Sequence, residues 1–349
     1  MGFHFPVPTH FDPKNWPLKL GFRGWRPKNY DLQTWVDHLA PVHQSTWKKA
    51  GIFEAILNST YKIKRKKDLV CGLAEKWCCE TNTFVFPWGE ATITLEDVLV
   101  LGGFSVLGDS VFTPLERKEL REVEVKLEKE RMGLYDYSAG CRTVIIKAWL
   151  EKFMKSGTEL EHEAFLVFWL SRYVLHNTSN NSVNKAGLSI AIRLARGIRV
   201  ALAPAVLAHI YKDLSVLKMT IAALSGLKDR NEVVKFTVMS PFHLVQVWAW
   251  ERFVELRPVS NVVSCAEPRS ARWDRVECLN VGNVRNVLAK ADFEMEKWVL
   301  VGPDLDDGHR LMSFAMFLSV AKLVGFDLDD GHRLMASDIF HPRFLREML

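Results

Sequence analysis

Apolar residues recur three and four positions apart over much of the chain, which is the spacing of one helical face. In the second half, this pattern predicts consecutive helices at about 141–155, 159–176, 185–212, 214–226 and 241–256. Further helices are expected at about 31–40, 45–57, from 68 onwards, 94–102, 114–131, 283–293 and 309–324. Pro41 is expected to stop the first helix, and Pro204 to kink or divide the helix that contains it.

The spacing of apolar residues changes from helical to alternating over 83–93. Two strands are predicted there, at 83–86 and 90–93, joined by a Pro-Trp-Gly turn. Another short strand is expected near 297–301. Because most periodic segments are helical, the predicted fold is mainly α, a multi-helix globular domain with one or two small β-hairpins.

Polar residues mark where two of these helices begin. Thr94 and Asp97 have the spacing of a capping box, in which each side chain accepts the main-chain N–H of the other residue. Two consecutive glycines, at 102 and 103, predict the end of that helix. Thr158 and Glu161 repeat the capping-box spacing before the apolar helix at 159–176.

The beginning of the chain carries prolines at positions 6, 8, 13, 17 and 27. Proline lacks an N–H donor and fixes φ, so residues 1–30 are expected to be an irregular, Pro-rich N-terminal segment. Residues 31–349 are expected to form a single domain. The chain is 48% apolar and 25% charged, which excludes disorder over most of its 349 residues.

The formal net charge of +5 is concentrated near the N-terminus. Residues 1–67 contain twelve basic and four acidic residues, whereas residues 68–349 are slightly acidic. Five basic residues stand in six positions at Lys62, Lys64, Arg65, Lys66 and Lys67. This cluster fits a short nuclear-import signal or a phosphate-contacting patch, or simply a solvated segment before the next helix. No zinc-finger or RRM motif accompanies it, so direct nucleic-acid binding is the less favoured interpretation.

Membrane insertion and disulfide scaffolding are not expected from this sequence. No stretch of 18 apolar residues occurs, and the first 30 residues lack the apolar region of a signal peptide. None of the six cysteines forms a C-x-x-C pair, so neither a disulfide framework nor a zinc site is indicated. The twelve tryptophans are expected mainly in the core, since tryptophan buries a large apolar area.

Sequence signatures of catalysis are absent. There is no phosphate-binding loop, no dinucleotide-binding glycine motif, no H-E-x-x-H and no G-x-S-x-G. His162 and Glu163 have no second histidine at metal-binding spacing and are interpreted as a surface pair. The chain is therefore predicted not to be an enzyme and to need no cofactor.

A nine-residue segment, Asp-Leu-Asp-Asp-Gly-His-Arg-Leu-Met, occurs at 304–312 and again at 327–335. Asp304, Asp306 and Asp307 offer oxygen ligands for a divalent metal. However, glycine falls at the fifth position rather than the sixth, which does not fit an EF-hand loop. An acidic turn before a helix is the simpler interpretation.

The strongest resemblance begins in the run Leu73-Ala-Glu-Lys-Trp-Cys-Cys-Glu-Thr-Asn-Thr-Phe84 and continues through Pro87-Trp-Gly-Glu-Ala-Thr-Ile-Thr-Leu-Glu-Asp-Val98. These motifs resemble the plant mobile domain, also labelled aminotransferase-like, of the Maintenance-of-Meristems and MAIN-like proteins. The Trp-rich element at 248–258 and Arg272-Trp273 are similar to the family as well. The resemblance implies a structural role for the signature residues Trp77, Glu80, Thr81, Phe84, Gly89, Glu90, Thr92, Leu95 and Asp97.

The resemblance also carries functional expectations. It implies a non-enzymatic interaction domain in the nucleus, acting in meristem maintenance, silencing of transposable elements and control of gene expression. It further implies a protein partner, a plant protein phosphatase of the seven-like class. The aminotransferase-like label implies no pyridoxal chemistry, because no lysine in the chain has a suitable context.

The C-terminal end departs from the family pattern. The duplicated nine-residue segment stands where the family usually continues with a different sequence, so an atypical or truncated end is expected. This leaves an alternative open, in which the chain is a transposon-derived metal-dependent enzyme that uses Asp304, Asp306 and Asp307, or a nucleic-acid-binding protein that uses residues 62–67.

Overall fold

The computed structural model describes residues 18–25, 30–135, 144–175, 182–226, 234–264, 267–279 and 283–290. Within these residues the α-helices are α1 (Tyr30–Ala50), α2 (Phe53–Asn58), α3 (Lys67–Lys76), α4 (Leu95–Gly102), α5 (Lys118–Met132), α6 (Ile146–Phe153), α7 (Glu161–Trp169), α8 (Gly187–Ala195), α9 (Leu202–Gly226), α10 (His243–Arg252) and α11 (Val284–Lys290). The strands are β1 (Leu18–Phe22), β2 (Trp77–Cys78), β3 (Thr83–Phe86), β4 (Gly89–Ala91) and β5 (Val234–Val238). The prediction of a mainly α fold is confirmed.

Helix α7 occupies the centre of the core. All nine of its residues are buried, as expected for a helix surrounded by others rather than lying on the surface. Helices α1, α6 and α8 pack around it. Trp35 and Trp47 of α1 both contact the ring of Phe165 with ring centroids 5.4 Å apart, so the tryptophans anchor the core as predicted.

Helix α1 continues through Pro41, which contradicts the prediction that Pro41 ends it. An internal proline costs a helix about 3 kcal/mol through one lost hydrogen bond and a steric clash. Trp35 and Trp47 lie on either side of Pro41 and are fully buried. Burying two tryptophan side chains stabilises the helix by more than the proline costs.

Helices α8 and α9 separate at residues 196–201, before Pro204 rather than at it. Gly197 has a φ of +71°, a conformation that glycine adopts without strain, just after α8 ends. Pro204 then lies in the first turn of α9, where its missing N–H would have had no helical partner. Although α9 is long, no helix among the described residues is both long and apolar enough to cross a membrane.

Strands β2, β3 and β4 form a small antiparallel sheet. The predicted hairpin is present, with Phe86 paired to Gly89 across the turn. The additional strand β2 pairs Trp77 with Phe84 and Cys78 with Thr83, which joins the end of α3 to the hairpin. The sequence pattern did not reveal β2, because a two-residue strand carries no alternation.

A second sheet pairs β1 with β5 in parallel, with Leu18 opposite Val234 and Phe22 opposite Val238. The prediction of irregular structure over 1–30 is therefore wrong for residues 18–22. The prolines at 17 and 27 flank this strand instead of interrupting it. Its partner is more than 200 residues away in sequence, so local pattern could not indicate the pairing.

The predicted capping box at the start of α4 is present. Asp97 accepts hydrogen bonds from the N–H and hydroxyl of Thr94, and its own N–H donates to Thr94 Oγ1. The second predicted box, at Thr158, is wrong. The Glu161 carboxylate instead accepts N–H bonds from Lys155 and Gly157, at 2.8 and 2.7 Å, and the Trp35 indole N–H at 3.0 Å.

Candidate functional site

The signature residue Trp77 lies in the core, with 1% of its surface exposed. Its indole N–H donates to Ser215 Oγ of α9 at 2.9 Å. Its ring contacts those of Phe84 and Tyr211, with centroids 5.0 and 5.1 Å away. Trp77 therefore fastens the three-stranded sheet to helix α9.

Two other signature residues also make contacts across the domain. Thr92 donates to Asn82 O at 2.8 Å and lies 3.0 Å from the hydroxyl of Tyr211. Asp97, with 2% exposure, accepts a 3.0 Å hydrogen bond from Arg252 of α10. Both residues connect the signature segment to distant helices.

The remaining signature residues lie at or near the surface, apart from Phe84, which is buried. The hydroxyl of Thr83 lies 2.7 Å from the hydroxyl of Thr81 and donates to the carboxylate of Glu90 at 2.7 Å. Gly89 has a φ of +144° in the hairpin turn, a value that side chains disfavour. Leu95 is half-buried and Glu80 is exposed.

Away from the signature, a small cleft opens between α2, the end of β1, the end of α4 and the start of α10. We call it the Asn58 cleft, and it has a volume of about 30 Å³. Its lining includes the side chains of Trp25, Asn58, Tyr61, Phe104, Tyr173 and His243. Among the described residues, no Asp, Glu, Lys or Arg lines this cleft.

Close main-chain packing shapes the Asn58 cleft. A Cβ atom on Gly24 would lie 2.0 Å from the carbonyl oxygen of Ser240, so only glycine permits this approach of β1 to the start of α10. The indole N–H of Trp25 donates to the carbonyl oxygen of Ile63 at 3.0 Å. These contacts bring together residues from separate parts of the chain, and no sequence motif identified the cleft.

The polar groups of the cleft are uncharged at neutral pH. Burial raises the pKa of Tyr61 to about 12, and the carboxylates of Glu267, Asp274 and Glu54 add to this shift. Burial lowers the pKa of His243 to about 4. The cleft therefore presents a phenol, a neutral imidazole and an amide beside aromatic rings.

The sequence profile of the plant mobile domain matches residues 51–334, which is most of the chain. This chain belongs to the plant mobile domain family. The matched region contains the signature residues and most of the Asn58 cleft.

The chain is similar to three curated proteins of Arabidopsis thaliana. The chain is 25% identical over 275 residues to a serine/threonine-protein phosphatase 7 long form homolog, covering 71% of this chain and 19% of that protein. It is 24% identical over 212 residues to Protein MAIN-LIKE 1, covering 54% and 40%. It is 44% identical over 57 residues to Protein MAINTENANCE OF MERISTEMS, covering 16% and 12%. The chain thus spans less than half of each relative, and no solved structure matches it.

A second element of this plant mobile domain surrounds the buried carboxylate of Glu251, in the Trp-rich element at 248–258. Glu251 accepts the indole N–H of Trp273 at 2.8 Å and a hydrogen bond from Arg269, also at 2.8 Å. Arg272 lies 3.6 Å away. Glu251 and its arginine partners therefore support the tryptophan core at this element.

The basic cluster lies in the segment just before α3, with Lys67 as the first residue of that helix, and its main chain is held in place. Gln246 is fully buried, and its amide donates to Lys64 O at 2.8 Å and accepts the N–H of Lys66 at 2.7 Å. Lys64 also pairs with Glu277. Of the five basic residues, the exposed ones are Lys62, Arg65 and Lys67. An import receptor or nucleic acid would therefore meet their side chains rather than a free peptide backbone.

The interpretation of His162 and Glu163 as a surface pair is wrong, because they are only 7% and 2% exposed. The apolar helix α7 carries both into the core. The imidazole of His162 stacks on that of His43 at 3.7 Å, and its Nε2 accepts the Trp47 indole N–H at 2.8 Å. Since Nε2 must be unprotonated to accept, the folded state favours neutral His162.

Acidification is expected to destabilise the domain through His162. Burial, with the nearby His43 and Arg196, lowers its pKa to about 3. Because histidine in an unfolded chain titrates near 6.5, the unfolded state gains a proton first, and stability falls as the pH drops from about 6.5 towards 3. Between pH 7 and pH 5, His162 should therefore lower the free energy of unfolding, measured in urea, by about 2 kcal/mol.

The control compares the pH dependence of the free energy of unfolding between variants, rather than stability at one pH. His162→Gln retains an acceptor for Trp47 but does not titrate, so it should lose about 2 kcal/mol less than the wild type between pH 7 and 5. Equal pH dependence in the wild type and His162→Gln would contradict the prediction.

The duplicated segment, with Asp304, Asp306 and Asp307, lies outside the described residues, as do the strand and helix predicted near it. Within the part of the chain that the structure describes, no group of three or more His, Cys, Asp or Glu residues is placed to hold a metal ion.

Proposed function

We propose that this plant mobile domain is a non-enzymatic protein-interaction domain. The supporting observation is that its buried carboxylates are bound inside the fold, whereas its cleft carries only uncharged groups. The buried carboxylates of Asp97, Glu161 and Glu251 accept hydrogen bonds from arginine, indole or main-chain groups inside the fold. The Asn58 cleft, by contrast, offers uncharged polar groups and aromatic rings, which suit recognition of another molecule better than covalent catalysis.

We further propose a nuclear location, a plant protein phosphatase of the seven-like class as partner, and a role in meristem maintenance, silencing of transposable elements and control of gene expression. The relatives support this proposal, since one is named as a phosphatase 7 long form homolog and another as a protein of meristem maintenance. The exposed side chains of Lys62, Arg65 and Lys67 are the candidates for nuclear import.

The test is direct binding of the full chain to the catalytic domain of such a phosphatase, measured by biolayer interferometry. Saturable binding is expected, and Tyr61→Ala at the cleft should weaken it. Lys147→Ala, at an exposed residue of α6, should not. A fusion of the full chain to a fluorescent protein should also accumulate in plant nuclei. Absence of phosphatase binding would overturn the partner, and a cytoplasmic fusion would overturn the location.

A further inference from the structure

We propose that residues 274–279 form an autoinhibitory strap, which masks the basic cluster at 62–67 from an import receptor. The strap runs beside residues 62–66 and is bound to both their main chain and their side chains. This inference deepens the proposed nuclear location and rests on residues 62–67 acting as its import signal.

The strap binds the main chain of the basic cluster at two places. Asp274 Oδ1 accepts the N–H of Lys62 at 2.6 Å, and the N–H of Arg275 donates to Lys62 O at 2.8 Å. Further along, the thiol of Cys278 donates to Lys64 O at 3.5 Å. A receptor that binds an extended peptide uses such main-chain donors and acceptors, and here they are already occupied.

The strap also binds two lysine side chains of the cluster. Lys64 Nζ pairs with the carboxylate of Glu277, and Lys66 Nζ donates to the carbonyl oxygen of Leu279. The two lysine side chains are 35% and 11% exposed. Because a basic signal is recognised through its cationic side chains, the folded domain withholds two of the five charges.

These contacts follow one register along both segments. Residues 62, 64 and 66 lie beside 274–275, 277–278 and 279 in turn. On another side, the buried amide of Gln246 binds Lys64 O and the N–H of Lys66. Gln246 belongs to the core helix α10, so the strap is the part of this enclosure that can leave without disturbing the core.

The strap has features that suit local opening. Among residues 274–279, only Val276 is buried, so release exposes little apolar surface. Arg275 has a φ of +57°, a left-handed conformation that residues other than glycine rarely adopt. The side chain of Glu277 is 83% exposed, and an ion pair so open to solvent adds little to stability.

The experiment measures binding of the full chain at pH 7 to a purified import receptor of the class that binds lysine-rich signals. The double variant Asp274→Ala/Glu277→Ala, called the released variant, should bind at least about fivefold more tightly than the wild type. Hydrogen exchange of the amides at 62–66 should also become faster. Equal affinity of the wild type and the released variant would overturn the proposal.

A matched control removes the same two negative charges elsewhere. Glu116→Ala/Glu119→Ala changes exposed residues at the start of α5 and should bind as the wild type does. If this control gains as much affinity as the released variant, net charge rather than unmasking is responsible, and the proposal fails.

Two further variants assign the gain to the strap. Glu277→Lys places a like charge beside Lys64 at an exposed position, so it should tighten binding even if the released variant does not fold. Adding Lys64→Ala and Lys66→Ala to the released variant should remove the gain. A gain that persists without these two lysines would overturn the proposal.

A cellular measurement separates this inference from the proposed location. The full chain is fused to three fluorescent proteins in tandem, which prevents passive entry, and the released variant should be more nuclear than the wild type. If the wild-type fusion is fully nuclear and the released variant gains no receptor affinity, the location stands and the strap is rejected. If neither fusion is nuclear and neither chain binds the receptor, both proposals fail.

Discussion

Replacing Trp77 with alanine is expected to destabilise the domain by about 3–5 kcal/mol. The change removes a fully buried indole that contacts Phe84 and Tyr211, and it removes the hydrogen bond to Ser215 Oγ. The resulting cavity lies between the three-stranded sheet and α9. Because domains are commonly stable by about 5–15 kcal/mol, this loss should lower the urea midpoint strongly or prevent folding at 37 °C.

Two matched variants separate the causes of the Trp77 effect. Ser215→Ala removes only the hydrogen-bond acceptor and should cost about 1 kcal/mol. Trp88→Ala removes the same side chain from the hairpin turn, where 41% of it is exposed, and should cost less than Trp77→Ala. Unchanged thermal melting of Trp77→Ala would contradict the structural role given to this residue.

Replacing Asp97 with alanine is expected to cost about 3–5 kcal/mol as well. Asp97 caps α4 by accepting from Thr94, and it also accepts the guanidinium of Arg252, whose side chain is only 12% exposed. Removing the carboxylate leaves a buried positive charge without this compensation, which is costlier than losing the cap alone. The measurement is the free energy of unfolding in urea.

The cap and the ion pair can be separated by a double-mutant cycle. Thr94→Ala keeps the pair with Arg252 and should cost about 1 kcal/mol. Asp97→Ala combined with Arg252→Leu removes both charges and should recover part of the loss, because no buried charge is then left over. If the losses caused by Asp97→Ala and Arg252→Leu alone add up to the loss in the double variant, the ion pair contributes nothing to stability.

Local sequence predicted the elements whose stabilising contacts are also local. The capping box of Thr94 and Asp97 closes within four residues, and the hairpin pairs Phe86 with Gly89 across a two-residue turn. Both could be predicted because the interacting groups are neighbours in the chain. The plant mobile domain itself was also predicted from one long motif, and the profile match over residues 51–334 confirms it.

Predictions failed where a distant contact outweighed a local preference. Pro41 predicts the end of a helix, yet α1 continues because the side chains of Trp35 and Trp47, on either side of the proline, are buried in the core. Adjacent His162 and Glu163 suggest a solvated pair, yet α7 is surrounded by helices and carries both into the core. In each case, the free energy gained by burying apolar neighbours exceeds the cost of overriding the local preference.

The sequence alone therefore determined the mainly α class, the hairpin, the helix cap and the family of this chain, because each depends on residues close together or on one continuous motif. Only the tertiary structure decided that β1 pairs with β5, that Glu251 accepts from Trp273, and that Asn58, Tyr61 and His243 share one cleft. These arrangements join residues far apart in the chain, and they depend on how the apolar helices pack rather than on any local pattern.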